Sequence, residues 1–327
     1  MTSIDVVVTT FNRPEPLRRC LEALQLQTQS PARIIVVDDC SEPPITVQTG
    51  VRPGDAPVTV IRREANAGPA RGRNEGVEAS SADVVLFVDD DVVAAPDLVE
   101  RHARAHEAAS HPVAIIGPLA APPDWDASPW CRWEADKLAA EYLRMIRQDY
   151  APTWRQFFTG NASVRRDVFV AAGGFDERFT RAEDIELAYR LQLEGCGFVF
   201  EPQAVGWHYA SRSLRSWLKI PRSYALFDRQ IHEKHPSLGW DTVVRREQGG
   251  RHQLTRLAVL AASALRAEHP VALGLATTAG RLGSFRWQLP TGPMMSLAFA
   301  LEYSAGVRVN RPTERRRPFA RESKDTG

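Results

Sequence analysis

The chain has 327 residues, 25% of them charged and 43% apolar, with 41 Lys and Arg against 40 Asp and Glu. That length holds one large α/β domain, or one domain with an appendage, and a net charge of +1 gives no global pull toward nucleic acid. The cysteines Cys20, Cys40, Cys131 and Cys196 form no CxxC pair, which argues against a structural zinc site or a disulfide framework and fits a reducing compartment.

Ile4 to Thr10 is a continuous β-branched run, the pattern of a parallel strand covered on both faces. It starts almost at Met1, so no signal peptide is expected ahead of it. Phe11-Asn12-Arg13-Pro14 breaks the run, and Leu17, Cys20, Leu21 and Leu24 then recur at helical spacing. Arg33 to Val37 is a second strand ending in Asp38-Asp39-Cys40-Ser41, and Val58 to Ile61 a third. Asn66-Ala67-Gly68-Pro69-Ala70-Arg71-Gly72-Arg73-Asn74 follows and opens a helix toward Ala79. This Gly-rich stretch has neither the GxxxxGK[ST] nor the GxGxxG spacing, so it is no recognised phosphate cradle. Val84 to Val88 is a buried strand that runs straight into Asp89-Asp90-Asp91.

Strands and helices alternate through residue 91, the signature of βαβ units and a mostly parallel sheet. Ligands of such sheets sit at the carboxyl ends of the strands. Thr9–Arg13, Asp38–Ser41, Asn66–Asn74 and Asp89–Asp91 are all carboxyl-end segments and should converge on one rim. Two carboxylates about 4 Å apart repel by roughly 4 kcal/mol at an effective dielectric near 20. The acid triplet therefore needs solvent, a proton, basic partners or a divalent cation, and hard oxygen ligands suit Mg²⁺ or Mn²⁺.

Further on, Phe158 to Val164 mixes strand formers with a Gly160-Asn161 kink, and Gly173-Gly174 marks a tight turn. Glu183-Asp184 opens a helix that Gly195 ends. The pair is either a simple helix start, favoured by the dipole, or a general base facing an acceptor hydroxyl. His208, after the strand Phe198-Val199-Phe200, is either a satisfied imidazole or a metal ligand completing the acid triplet.

Taken together, VVVTTFNRP (6–14), VVDDCS (36–41), NAGPARGRNEG (66–76), FVDDDV (87–92), TGNASVRRDVFVAAGGFDE (159–177) and EDIELAYRL (183–191) resemble the family 2 glycosyltransferases of GT-A fold. The order and spacing match over about the first 210 residues. The resemblance implies an inverting transfer from a nucleotide sugar of UDP, dTDP or GDP type to a carbohydrate, lipid-linked or small-molecule acceptor. It implies that Thr9, Asn12 and Asp39 line the nucleoside pocket and that Arg73 lies near the diphosphate, with Arg13 and Gly68 on the same donor rim. Asp89 and Asp91 would form the DxD metal site, with Asp90 nearer the ribose and Asp184 as the base. His208 resembles the metal-binding His of some galactofuranose-type members, and Trp154, Gly160, Asn161 and Glu183 fall on the acceptor side. The expected cofactor is Mg²⁺ or Mn²⁺. Nucleotidyl transfer, and a non-catalytic binding protein of the same fold, are the alternatives.

Residues 1–210 are expected to form the glycosyltransferase domain, with a nucleotide-sugar half over 1–116 and an acceptor half over 117–210. The tryptophans Trp125, Trp130, Trp133 and Trp154 of that second half either stack on sugars or pack in the core. A helical region follows over 211–307, with two helices within Leu254–Gly283 broken at His269-Pro270 and another over Trp287–Tyr303. It is a candidate for dimerisation or for contact with a membrane surface, and an Arg-rich tail over 308–327 is expected to be disordered. No run is long enough to span a bilayer, so the expected location is cytoplasmic, or peripheral on the inner face of the cell membrane.

Overall fold

The computed structural model describes residues 2–47, 54–238, 252–283 and 291–309. The chain divides into two compact units, Met1–Ser213 and Leu214–Gly327.

The first unit is built on a seven-stranded sheet in the order β3-β2-β1-β4-β8-β6-β9. β1 (Ile4–Thr10), β2 (Arg33–Asp38), β3 (Val58–Arg62) and β4 (Val84–Asp89) are mutually parallel. β1, β2 and β4 are buried almost throughout because helices cover both faces, which is why their middles read as continuous apolar stretches. α1 (Pro14–Gln25) turns Leu17, Cys20, Leu21 and Leu24 into the core cluster with Ile4, Val6 and Val8. α2 (Pro69–Ala79) lies unusually close to β1, and only glycine permits it: a Cβ on Gly76 would collide with the Val7 methyls.

A short β5 (Val92–Ala94) and α3 (Leu98–Ala108) lead to β6 (Val113–Ile116) and β7 (Leu119–Ala120). α4 (Pro129–Ile146) follows, and then β8 (Asn161–Arg165), which inserts antiparallel between β4 and β6. α5 (Arg166–Ala171), α6 (Glu183–Leu193) and β9 (Gly197–Phe200) complete the main sheet. The turn at Gly173-Gly174 has φ of +82° and +66°, which glycine adopts without strain. His208 follows β9 in sequence. It sits on a strand of its own, β10 (Gly206–His208), between β5 and β7 in a second, three-stranded sheet.

The second unit is helical. α7 (Leu214–Lys234) and α10 (Gly292–Val309) pack together, with α8 (Gln253–Ala264) and α9 (Glu268–Gly283) against α10. Buried Glu302 of α10 pairs with Arg222 of α7 and His269 of α9, and Tyr303 donates to Asp228 at 2.5 Å. Two expectations need correction. The break between α8 and α9 falls at 265–267, and His269-Pro270 lies in the first turn of α9, where proline removes no intrahelical bond. Arg308 belongs to α10 rather than to a tail, while residues 310–327 and the start of the helix expected from Trp287 lie outside the described residues. No described helix is long and apolar enough to cross a membrane.

Candidate functional site

Parallel register brings the carboxyl ends together: Thr9 lies opposite Val37 on one side and Asp89 on the other, and Thr10 opposite Asp38. The acid triplet at the end of β4 is met by basic and hydroxyl partners. Arg13 forks across it, donating to Asp90 at 2.6 Å and Asp91 at 2.7 Å, and Thr10 donates to Asp90 at 2.8 Å. Burial pushes the Asp90 carboxyl up to about 7 despite Arg13. Burial acts on Asp91 in the same direction, but the hydrogen bond and charge of His208, with those of Arg13, outweigh it and hold Asp91 well below the usual range. His208 reaches Asp91 because β10 pairs antiparallel with β5, placing His208 opposite Val92, and Tyr209 N–H bonds the Asp91 carbonyl at 2.9 Å. The same pairing raises the His208 pKa against the lowering effect of burial.

Arg73 lies between two halves of the rim. Buried on the inner side of α2, it donates to Asp89 at 2.9 Å and to Glu183, in the first turn of α6, at 2.6 Å. Its guanidinium also faces the Phe175 ring at 5.8 Å. Phe175 meets Phe87 and Phe169 edge-on, and Asn74 holds it by its backbone: the side chain donates to Phe175 O at 2.9 Å and accepts from Phe175 N–H at 2.8 Å. Asp184 adjoins this bridge, and its Oδ1 accepts from the Ile185 N–H at 2.8 Å. The dipole at a helix start favours the ionised carboxylate, and desolvation opposes it. Loss of water and the charge of Glu183 outweigh Arg73 and raise the Asp184 carboxyl to about 7.

Asp39 occupies the far end of the rim. Arg63 pairs with it, and the Ala67 and Gly68 N–H groups donate to its two oxygens at 3.1 and 2.9 Å. Gly68 has φ +87°, a conformation that presents its N–H to Asp39 and that other residues resist. Asn12, also at positive φ, donates its N–H to Ser41 and accepts from Glu42 N–H, tying the β1 loop to the β2 loop. Thr9 turns toward Gly72 of α2. Between Thr10 and Asn12, Phe11 stands 44% exposed at the rim, a large aromatic that the sequence reading passed over.

The residues expected on the acceptor side divide. Gly160 belongs to the rim: its carbonyl accepts from Asp89 N–H at 3.3 Å, and a side chain there would press on the Asp89 carboxylate. Glu183 spends its carboxylate on Arg73. Trp154 is 6% exposed and meets Tyr189 edge-on at 5.6 Å, a core position. Asn161 is fully buried behind the rim. Its amide donates to the Pro118 and Ala204 carbonyls at 3.1 and 2.7 Å and its oxygen meets His102 Nε2 at 3.0 Å, so it joins the two sheets. His102 and His106 both reach Ser163 at 2.8 Å, and burial keeps the two imidazoles neutral, at about 4 and 3.

The sequence reading also missed Arg62 and Arg63. Their signal was present: two acids end β2, two arginines end β3, and parallel register sets Asp38 against Arg62. The histidines of α3 gave no such sign, because nothing local relates them to β8.

The donor chemistry fits a divalent cation carried in with a ligand. A carboxylate oxygen of Asp91 and the imidazole Nε2 of His208 lie 3.3 Å apart, close enough to share one ion. Among the described residues no third His, Cys, Asp or Glu completes a ready-made cluster, and Asp89 is drawn to Arg73. Two side chains supplemented by phosphate oxygens is a common way for Mg²⁺ to be held.

A family model described as glycosyl transferase family 2 matches residues 5–171. A glycosyltransferase of Haemophilus influenzae, uncharacterized by its name, is 39% identical over 98 residues, 30% of this chain and 32% of that protein. The pre-mycofactocin glycosyltransferase of Mycobacterium tuberculosis is 28% identical over 240 residues, 71% of this chain and 48% of that one. The chain thus spans about a third to a half of these relatives' length. Among solved structures, a mannosyltransferase of Pyrobaculum calidifontis in complex with GDP-Man and Mn²⁺ superposes with a TM-score of 0.57 at 18% identity, covering 92% of this chain and 87% of that one. That likeness shows a shared GT-A fold.

Proposed function

The chain belongs to glycosyl transferase family 2, and from that premise we propose that it moves a sugar from a nucleotide-diphosphate donor to an acceptor hydroxyl, with inversion at the anomeric carbon. One observation carries the reading: buried Arg73 joins Asp89, at the acid triplet, to Glu183, next to Asp184. A donor-binding end and a base-bearing end are thereby fixed within one constellation. The GDP-Man and Mn²⁺ bound by the Pyrobaculum neighbour support a nucleotide-sugar donor and a divalent cation.

In this reading Asp39, Thr9, Asn12 and Gly68 frame the nucleoside, with exposed Phe11 offering a face for the base to stack on. Asp90 faces the ribose. Arg13, whose side chain is 35% exposed, is the guanidinium able to turn from Asp90 and Asp91 toward a diphosphate. Asp91 and His208 would hold Mg²⁺ or Mn²⁺ together with phosphate oxygens, and Asp89 could join them only by leaving Arg73; when bound, the cation offsets the charge of the leaving diphosphate. Asp184, with a carboxyl near 7, is poised to accept the acceptor's proton close to neutral pH. Attack from the face opposite the leaving group gives inversion in a single displacement. The two-carboxylate scheme of glycosidases does not apply, because the cation would take the place of the general acid.

A thermal-shift panel of UDP, dTDP and GDP, each with Mn²⁺ and with EDTA, tests this. Ligand at 100 times its dissociation constant adds about 2.7 kcal/mol of stability. A shift for one nucleotide that EDTA removes names the base and supports the metal. No shift with any of them refutes the donor site.

A further inference from the structure

Among the described residues, the packing of the helical unit leaves one face of α8 uncovered. α8 is held to α10 through buried Ala262, a Ser263–Ser304 contact of 3.1 Å and an Arg308 bond to the Ser263 carbonyl at 3.1 Å. On the opposite side Leu254, Leu257, Leu260 and Leu265 are 69%, 62%, 66% and 79% exposed. Helical spacing sets them on one side of α8 with Ala261 and Ala264, and no acidic residue lies within Gln253–Ala264. Scattered exposed leucines need no explanation, but three on one short helix with a fourth at its C-cap mark a contact surface.

Charge says what the surface meets. Residues 214–327 hold 19 Lys and Arg against 9 Asp and Glu, a net of +10, whereas residues 1–213 hold 22 against 31, a net of −9. Arg245, Arg246 and Arg251 precede α8 in the sequence, Arg256 lies on it, and Arg266 follows it. Two copies meeting through this face would bring two strongly basic units together, and repulsion opposes that. An anionic lipid surface attracts the arginines and accepts the leucines in its interface. At 12 residues α8 is too short to span a bilayer, so it would lie along the surface.

We propose that the leucine face of α8 seats the C-terminal unit on an anionic membrane surface. The inference is independent of the donor site. The test uses the full chain in flotation with vesicles of phosphatidylcholine alone, or with roughly one third phosphatidylglycerol. The proposal expects binding about tenfold or more tighter to the anionic vesicles, weakened by high salt, and lost in a Leu257→Glu, Leu260→Glu double variant. The same variant should melt like the parent and keep its nucleotide-induced thermal shift, because both leucines are exposed. Equal binding to both vesicle types, no binding, or binding unchanged by the variant overturns the proposal. So does a dimer in light scattering that the double variant dissociates, which would assign the face to a second copy. A parent chain that binds the anionic vesicles but shows no nucleotide-induced shift would refute the donor site alone.

Discussion

Replacing Asp184 by Asn separates the proposed chemistry from the fold. The Asp184 carboxyl titrates at about 7 in the folded chain against an ordinary 3.8. Between those values the folded state keeps a proton that the unfolded state has lost, so this group makes stability fall as pH rises toward 7. Each pH unit in that window removes at most about 1.4 kcal/mol, and the partial solvent access of Asp184 roughly halves it. From about pH 5 to about pH 8 the parent should therefore lose about 1–3 kcal/mol relative to Asp184→Asn, measured by urea unfolding at both pH values. The variant should bind nucleoside diphosphate as the parent does, while turnover falls by about two to four orders of magnitude for want of a base. The parent's kcat/KM should rise through an acid limb near pH 7 that the variant lacks. Near-normal turnover in the variant, or a stability difference that does not change with pH, would refute both the role and the electrostatics behind it.

Arg73→Met should destabilise by about 3 kcal/mol, since Glu183 stays buried and unpaired while Asp89 can hydrate; in the same variant the acid limb should move to higher pH, because Arg73 holds the Asp184 pKa down. Gly76→Ala should cost about 1–3 kcal/mol through overpacking against Val7, read as a lower denaturant midpoint with unchanged slope. Asn161→Ala strands the Pro118 and Ala204 carbonyls and His102 inside the protein. It should cost about 3 kcal/mol or more, and the loosened second sheet should also weaken Mn²⁺ binding through His208, measured by calorimetry with nucleotide present.

Much of the donor rim was legible in the sequence. The apolar, largely β-branched stretches 6–8, 34–37 and 84–88 read as strands covered on both faces, and parallel strands joined by helices place their polar ends together. The glycines 68, 173 and 174 marked backbone that no other residue takes easily. Those statements depend on local pattern and chirality alone. Pairings across distant segments were not local. Arg73 meets Glu183 across 110 residues, Asn161 joins strands on either side of α4, and His208 reaches Asp91 only through the second sheet. Burial was equally hidden: the sequence put a helix start beside Asp184, and only the tertiary structure decided how much water is taken from it. The sequence thus determined the sheet, its rim and the residue types gathered there, because periodicity and backbone stereochemistry act over a few residues. Which acid is neutralised, by which arginine, and at what pKa were decided only in the folded chain, because Coulomb and solvation energies depend on distances and burial that local sequence does not contain.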